Sequence, residues 1–493
     1  MKLLRKFNKK YLVILFASSI FVVTIYLLTS EYTFRTGFPL DDAWIHQTYA
    51  RNLALQGEWS YVPDEQSAGS TSPLWTFLIA IGYFVDPSPY IWTFFLGWVL
   101  LFAFGILGYL AFVTITGQNN GWALGSGLFL ILEWHLVWSA VSGMETLLFS
   151  FLVYLILVLI VIRWDRWIIL GGLIGVSIWV RPDGITLLFP ALLAIWFGKL
   201  SNKQKQKASL YCLIGVSSLV IPYLLFNKYI GDTWLPNTYF AKQAEYAIEL
   251  MAPLWNRLLE QALLPLVGVG ICLLPGFILF VLDKFKRRDW ILLLPSIWGV
   301  GYLCLYAIRL PVVYQHGRYA IPMMPVYFFF SWIGAVEWIK LSSPDKYKRI
   351  ISRAWFTATW LILITFLFLG ARAYGRDVAI IESEMVATAH WIAKNTEPGA
   401  LIAAHDIGAL GYFGERRLLD MAGLISPEVI PFIRDEVKLV QYLSASGADY
   451  LVTFPGWYPE LVQSAQYLYS THGQYSILQG GENMVVYKWL LSP

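Results

Sequence analysis

Long apolar runs recur along the chain, and they constrain its fold more than any other feature. Eleven such runs cover residues 11–28, 90–115, 122–139, 145–162, 167–180, 185–198, 208–228, 259–282, 290–308, 321–339 and 354–371. A run of about 20 apolar residues crosses a bilayer as one helix. Only 14% of the residues are charged, against roughly 25% in soluble domains. The sequence therefore predicts a polytopic α-helical membrane protein with about 11 transmembrane helices.

Basic residues between the runs predict the orientation. Cytoplasmic loops carry an excess of Lys and Arg, and here such residues cluster in four short connections and before the first run. These positions are Lys2, Arg5, Lys6, Lys9 and Lys10, the segments 199–207, 283–289 and 340–349, and more weakly 163–167. We therefore expect a cytoplasmic N-terminus in the plasma membrane and, from the odd number of spans, an extracytoplasmic C-terminus.

Three runs are short for a full crossing. Residues 73–85 are predicted to form a re-entrant or interfacial piece, since a further crossing would invert every later assignment. The runs 167–180 and 185–198 are expected to form a hairpin of half-helices. Half-helices are tolerated in a membrane only where surrounding protein buries their ends.

The long polar segments all fall on the predicted outer side, at residues 29–72, 229–258 and from about 374 onward. We divide the chain into a transmembrane domain, 1–372, which includes the first outer loop 29–72, and a small soluble α/β domain, 373–493. In the second domain the patterns predict a helix at 383–395, a strand at 400–404 before a Gly-rich turn, a helix and strand within 437–454, and a hairpin at 475–490.

Composition excludes some functions. The net charge of +4 is small and the basic residues lie at membrane edges, so nucleic acid is not an expected partner. The three cysteines lie inside apolar runs without metal-ligand spacing.

Two adjacent carboxylates, Asp41 and Asp42, follow the first run almost at once. One of them can cap a helix over 43–55 that ends before Gly57 and lies on the outer membrane surface. Capping leaves the second carboxylate unexplained. A carboxylate at this boundary can take the proton of an acceptor hydroxyl, so both are candidate catalytic residues.

Positive side chains are disfavoured on the outer side, so those that occur there are candidates for binding a phosphate. They are Arg181, Lys242, His316 and Arg318. The alternatives are an ion pair of Arg181 with Asp183 and a snorkelling Arg318. Further candidates for binding substrate lie in neighbouring outer motifs, namely Trp44, His46, Trp75, Glu145, Asp183, Asn237 and Asp406.

Seven motifs follow one another between about residues 40 and 430. They are DDAWIHQTYARNLA, GSTSPLW, SGMET, RPDG, LPNTYFAK, RYAIPMMP and HDIGALGYFGERRLLDMAGL. Together they resemble the GT-C glycosyltransferases, membrane enzymes that use polyprenyl-phosphate-linked sugars. The resemblance is greatest to the branch of the mycobacterial terminal arabinofuranosyltransferase and its relatives described as flagellar motor control proteins.

The resemblance implies an inverting transfer of a sugar, such as arabinofuranose, from a polyprenyl-phosphate donor to a cell-envelope glycan at the extracytoplasmic face. Asp41 would correspond to the base, with Asp42 as its neighbour. The expected partners are the lipid-linked sugar, the glycan and the bilayer. No cofactor is assigned, and the carboxylates are compatible with a mechanism that uses a divalent cation and with one that does not.

Two other functions stay open at this point. A membrane scaffold or motor-associated protein could use the same fold without its chemistry. A transporter of lipid-linked sugars fits less well, since it would predict internal repeats and charged residues near the middle of the membrane.

Overall fold

The computed structural model describes residues 8–63 and 65–490, so Lys2, Arg5 and Lys6 lie outside the described residues. Most of the described chain is helical. The helices are α1 Lys9–Thr33, α2 Asp42–Gln56, α3 Pro73–Tyr83, α4 Ile91–Thr116, α5 Gly121–Leu132, α6 Trp134–Ala140, α7 Thr146–Val161, α8 Trp167–Val180, α9 Leu188–Phe197, α10 Asn202–Gly231, α11 Asn237–Glu245, α12 Leu254–Leu263, α13 Val269–Lys286, α14 Trp290–Arg309, α15 Tyr314–Gly317, α16 Met324–Ser342, α17 Lys346–Ile381, α18 Ala387–Asn395, α19 Gly408–Phe413, α20 Glu436–Ala445 and α21 Gln474–Leu478. The strands are β1 Ser60–Val62, β2 Glu65–Gln66, β3 Leu401–Ala404, β4 Arg417–Asp420, β5 Tyr450–Thr453, β6 Ala465–Ser470 and β7 Val485–Trp489.

The apolar runs fold as helices, which makes the chain a multi-pass membrane protein. Within the described ranges, six helices are long and apolar enough to cross a membrane, or eight if two bent pairs, α5 with α6 and α12 with α13, each form one span. Helices α3, α7, α8 and the stretch Pro182–Phe197 are apolar but shorter. The number of eleven spans and the sides of the two termini therefore stay predictions.

Helix α2 begins and ends near the expected residues, and Gly57 closes it with a φ of 77°. The position of α2 on the membrane surface stays a prediction, and nine of its fifteen residues are buried by other parts of the protein. The centre of the Trp44 ring lies 5.0 Å from the centre of the Tyr412 ring and 4.7 Å from that of the Phe413 ring. The helix is thus covered by protein that comes from the far end of the chain.

The C-terminal region contains a five-stranded sheet in the order β4-β3-β5-β7-β6. Strands β4, β3 and β5 are parallel, whereas β7 pairs antiparallel with both β5 and β6. The predicted α/β domain is therefore present, although the boundary predicted at 372/373 lies inside one continuous helical segment, Lys346–Asn395.

Two local predictions in this domain are wrong. Residues 475–490 do not form a hairpin, because α21 and the turn at Gly480 precede β7, whose partner strand β6 lies earlier in the chain. The expected Gly-rich turn after β3 contains the short helix α19. Both differences follow from partners that lie beyond the local pattern.

The sheet domain docks on the first outer loop. The Tyr61 hydroxyl donates to the Ile407 carbonyl at 2.5 Å, and Arg51 Nη1 donates to the Tyr412 carbonyl at 2.7 Å. One apolar core continues from the helical bundle into this domain through residues such as Tyr61, Ile407 and Leu410. The loop after β3 is thereby fixed against α2, next to the two aspartates.

Candidate active site

A cleft of about 950 Å³ lies at the predicted outer ends of the helices. Its charged lining consists of four basic side chains and three acidic ones, together with one histidine. These are Arg181, Lys242, Arg309, Arg318, Asp42, Glu145, Asp183 and His46. The remaining lining is mostly apolar or aromatic and includes Ile45, Met144, Tyr239, Leu305, Tyr306, Leu310, Tyr319 and Leu424. Such a cleft suits a ligand with a negative head group and an apolar tail.

Asp42 and Arg318 form the central ion pair of the cleft. Arg318 Nη2 donates to Asp42 Oδ2 at 2.6 Å and to the Tyr319 hydroxyl at 3.1 Å. Burial would raise the pKa of Asp42, but the cations of Arg318 and Lys242 outweigh it and hold this pKa at about 2. Asp42 is therefore ionised at neutral pH.

Arg318 has unused hydrogen-bonding capacity. Its side chain is only 6% exposed, and its Nε and Nη1 atoms have no hydrogen-bond partner among the described residues. A buried N–H group without an acceptor is costly, and hydrogen bonds from a guanidinium to a phosphate are charge-assisted and strong. Arg318 thus offers two unpaired donor nitrogens, among the described residues, to an anion beside Asp42.

Lys242 links the cleft to the sheet domain. Its Nζ lies 3.2 Å from Glu245 Oε2, and His405 Nε2 lies 3.3 Å from the other oxygen of Glu245. Burial would lower the pKa of Lys242, but Glu245 and Asp42 raise it well above its usual value. Lys242 therefore brings a fixed positive charge to the Asp42 side of the cleft.

Glu145 binds two partners at the start of α7. Its Oε1 lies 3.3 Å from Arg181 Nη1, and its Oε2 lies 3.3 Å from His46 Nε2. Burial would raise the pKa of Glu145, but its contact with His46 and the charge of Arg181 hold this pKa at about 2. The sequence alternative that paired Arg181 with Asp183 is also realised, at 3.3 Å.

Two residues that the sequence analysis did not single out complete this side of the cleft. The Tyr306 hydroxyl contacts both Arg181 and Asp183, and the Arg309 guanidinium lies 3.7 Å from the centre of the Tyr239 ring. Arg309 could have been found by the argument applied to Arg181, since it ends an apolar run on the predicted outer side. Tyr306 has no distinguishing sequence signal among the 29 tyrosines.

Asp41 does not line the cleft. Its two carboxylate oxygens accept the backbone N–H groups of Gly408 and Ala409 at 2.7 and 2.8 Å. Burial, together with the charge of Asp406, raises the pKa of Asp41 to about 8, although the two N–H groups act in the opposite direction. The structure therefore places Asp41 at the start of α19, as the anchor between the first outer loop and the sheet domain.

The contact at Gly408 leads to a stability prediction. A Cβ at this position would lie 2.0 Å from the Asp41 carbonyl oxygen and 2.7 Å from Asp41 Oδ2. We expect Gly408→Ala to destabilise the protein by about 1–3 kcal/mol, the usual effect of overpacking, measured as a lower thermal unfolding temperature in detergent. Gly399→Ala is the matched control, because a Cβ there meets nothing within 4 Å. Equal unfolding temperatures of the two variants would contradict this account.

The other predicted site residues lie outside the cleft lining. His316 Nε2 pairs with Asp377 at 2.7 Å, Trp75 Nε1 donates to the Gly143 carbonyl, and Asn237 Nδ2 donates to the Leu424 carbonyl. Trp44 packs within the core around α2. Asp406 lies next to Asp41 and is half-buried, and its Oδ2 has no hydrogen-bond partner in the described part of the chain.

The residues present do not form a protein metal site. In the described ranges, no three His, Cys, Asp or Glu side chains are grouped so that they could hold a metal ion. The three acids of the cleft are each paired with a basic side chain.

Comparison with known proteins gives the fold. A family profile described as a domain of unknown function (DUF8728) matches residues 376–487. The comparison with curated proteins gives no match.

Similar solved structures cover the chain along nearly its whole length. The crystal structure of ArnT from Cupriavidus metallidurans bound to undecaprenyl phosphate is 13% identical, with a TM-score of 0.59, over 98% of this chain and 99% of that one. Its apo state gives 14% identity and a TM-score of 0.57, over 96% and 98%. Arabinofuranosyltransferase AftD from mycobacteria gives 14% identity and a TM-score of 0.53, over 99% of this chain and 42% of that chain. The predicted GT-C fold is therefore confirmed. The relation to flagellar motor control proteins stays a prediction.

Proposed function

We propose that this protein is a membrane glycosyltransferase that moves a sugar from a polyprenyl-phosphate donor to an acceptor hydroxyl. The observation that carries the proposal is the pair of Arg318 and Asp42. Arg318 is buried, and its Nη2 donates hydrogen bonds to Asp42 and Tyr319. Its other two side-chain nitrogens have no hydrogen-bond partner among the described residues. A phosphate bound there would place the carbon attached to it next to an ionised carboxylate.

The apolar wall of the cleft suits the lipid part of such a donor. Leu305 and Leu310, at the end of α14, line the cleft. Ile308, in the same turn, is 59% exposed on the outside of the bundle. A polyprenyl chain could therefore run from the cleft along α14 into the bilayer, while the phosphate stays at the charged end.

The reaction would be a single inverting displacement. The acceptor oxygen forms a bond to the anomeric carbon as the bond from that carbon to the phosphate oxygen breaks. The proton of the acceptor hydroxyl goes to a carboxylate, and the bonding electron pair leaves with polyprenyl phosphate. We assign the carboxylate to Asp42, because it lines the cleft whereas Asp41 is bound to Gly408 and Ala409.

Negative charge grows on the leaving phosphate during this step, and fixed cations near it lower the barrier. Arg318 and Lys242 are close enough to Asp42 to hold its pKa below the usual value despite burial, so both also act on a phosphate held there. A bound phosphate in turn raises the pKa of Asp42 by repulsion between like charges, which makes this carboxylate a better base in the complex than in the free protein.

Glu145, His46 and Arg181 contact one another in the lining of the cleft and are proposed to hold the sugar. Arabinofuranose is the proposed sugar, supported by the resemblance of the motifs and by the similarity to an arabinofuranosyltransferase. An undecaprenyl-type lipid is supported by the ArnT structure with undecaprenyl phosphate. The proposed acceptor is a cell-envelope glycan that approaches from the extracytoplasmic side.

The test is an assay of the purified full-length protein with a panel of polyprenyl-phosphate sugars, including arabinofuranose, with and without envelope glycans. We expect one donor to be consumed in an acceptor-dependent manner, with stoichiometric release of polyprenyl phosphate. Binding of undecaprenyl phosphate without consumption of any donor would refute the enzymatic proposal and favour the scaffold function.

A further inference from the structure

The single turn α15 before Arg318 does not have the backbone of a regular α-helix. Gln315, His316 and Gly317 are consecutive and all have positive φ angles, of 53°, 57° and 66°. Residues other than glycine rarely adopt this conformation, and such strain persists only when the surroundings over-determine it. The strain lies immediately beside the guanidinium that pairs with Asp42.

Within this turn, His316 contacts side chains from other helices of the bundle. Its Nε2 lies 2.7 Å from Asp377 Oδ2 on α17, and Trp138 Nε1 on α6 donates to the same oxygen at 2.9 Å. The His316 ring also lies edge-on to two indoles, at 5.4 Å from Trp134 and 5.2 Å from Trp138. The turn is therefore attached to two helices of the bundle through one imidazole.

We propose that His316 and Asp377 are positioning residues, whose pairing holds the strained turn so that Arg318 presents its guanidinium to the donor phosphate. The inference rests on the proposed function of the cleft. Neither residue lines the cleft, so their effect on the ligand is transmitted through Arg318.

Local hydrogen bonds connect the conformation of the turn to the position of Arg318. The Arg318 N–H donates to the Gln315 carbonyl at 3.2 Å and the Ala320 N–H to the Gly317 carbonyl at 2.7 Å, so the turn leads directly into the segment before α16. The Arg318 side chain contacts Asp42 and Tyr319. If the His316–Asp377 pair is lost, the turn can relax toward negative φ, which moves the Cα of Arg318 relative to Asp42.

The experiment measures binding of undecaprenyl phosphate to the full-length protein in detergent. His316→Asn is the most informative variant, because asparagine tolerates the left-handed conformation but is too short to keep the pair with Asp377. We expect His316→Asn and Asp377→Asn each to weaken binding about tenfold, and Arg318→Ala to weaken it further. Trp138→Phe, which removes only the second donor to Asp377, should weaken binding less than either.

The double variant Arg318→Ala with His316→Asn separates positioning from a general structural defect. If His316 acts through Arg318, the double variant binds as weakly as Arg318→Ala alone, whereas an additional loss would overturn the inference. Wild-type binding by both His316→Asn and Asp377→Asn would also overturn it. If Arg318→Ala itself binds like the wild type, the proposed phosphate site fails, which is a different outcome. Thermal unfolding of each variant identifies any that do not fold, and Trp138→Phe then carries the test.

Discussion

Replacement of Asp42 by Asn is expected to lower sugar transfer by about 10²–10⁴-fold, the range for loss of a general base. Binding of polyprenyl phosphate should stay as tight as in the wild type or become tighter. The reason is that Asp42 occupies Arg318 Nη2 and carries a negative charge beside the phosphate. The two effects are measured separately, as release of polyprenyl phosphate under single-turnover conditions and as equilibrium binding of the lipid.

Asp41→Asn is the matched variant at the neighbouring position. It removes an acceptor from the N–H groups of Gly408 and Ala409 but leaves the cleft lining unchanged. We expect a lower unfolding temperature and an unaltered transfer rate per folded molecule. If Asp41→Asn abolishes transfer while Asp42→Asn does not, the assignment of the two aspartates is reversed.

The sequence could not decide between these aspartates, for a physical reason. Consecutive residues at the start of a helix point about 100° apart, so Asp41 and Asp42 can meet different surroundings. The direction of each depends on what covers α2, and the cover comes from α19, more than 350 residues later, as the contact of Asp41 with Gly408 shows. No local pattern carries that information.

Contacts with residues distant in the chain also explain the other differences between the sequence predictions and the structure. Apolar runs predict spans because burial in a bilayer is set by local composition, and those runs are helical here. The prediction that His316 binds phosphate rests on its place on the predicted outer side, but its partner Asp377 lies 61 residues away on α17. Arg309 was overlooked although its position obeys the rule that identified Arg181. The helical runs could be predicted from the sequence, whereas pairings between helices could not.

The sheet domain is part of the site rather than a separate module. Gly408 and Ala409 fix Asp41, Ile407 accepts a hydrogen bond from Tyr61, and His405 holds the glutamate that pairs with Lys242. The region that matches a domain of unknown function therefore contacts Asp41, which precedes the proposed catalytic Asp42, and Glu245, which pairs with Lys242. Its removal would expose α2 and release the anchor of the first outer loop.

Arg318→Ala is expected to lower kcat/KM for the lipid-linked donor by roughly 30-fold to several thousand-fold, as for truncating one partner of a buried charge pair. It removes the two donor nitrogens proposed to bind the phosphate and leaves Asp42 without its 2.6 Å partner. Arg318→Lys keeps the charge, but an ammonium cannot reach a carboxylate and a phosphate through one planar fork. Lysine should therefore restore only part of the loss, mainly in KM.

Arg417→Ala is the matched control for the loss of an arginine. Its side chain is 66% exposed and lies 3.6 Å from Glu65, itself 62% exposed, so its removal should leave kcat/KM and stability near the wild-type values. Full activity of Arg318→Lys would show that charge alone is needed and that the planar geometry of the guanidinium is not used. Full activity of Arg318→Ala would remove the basis for placing the donor phosphate beside Asp42, because Arg318 is the buried cation of the cleft that directly contacts this carboxylate.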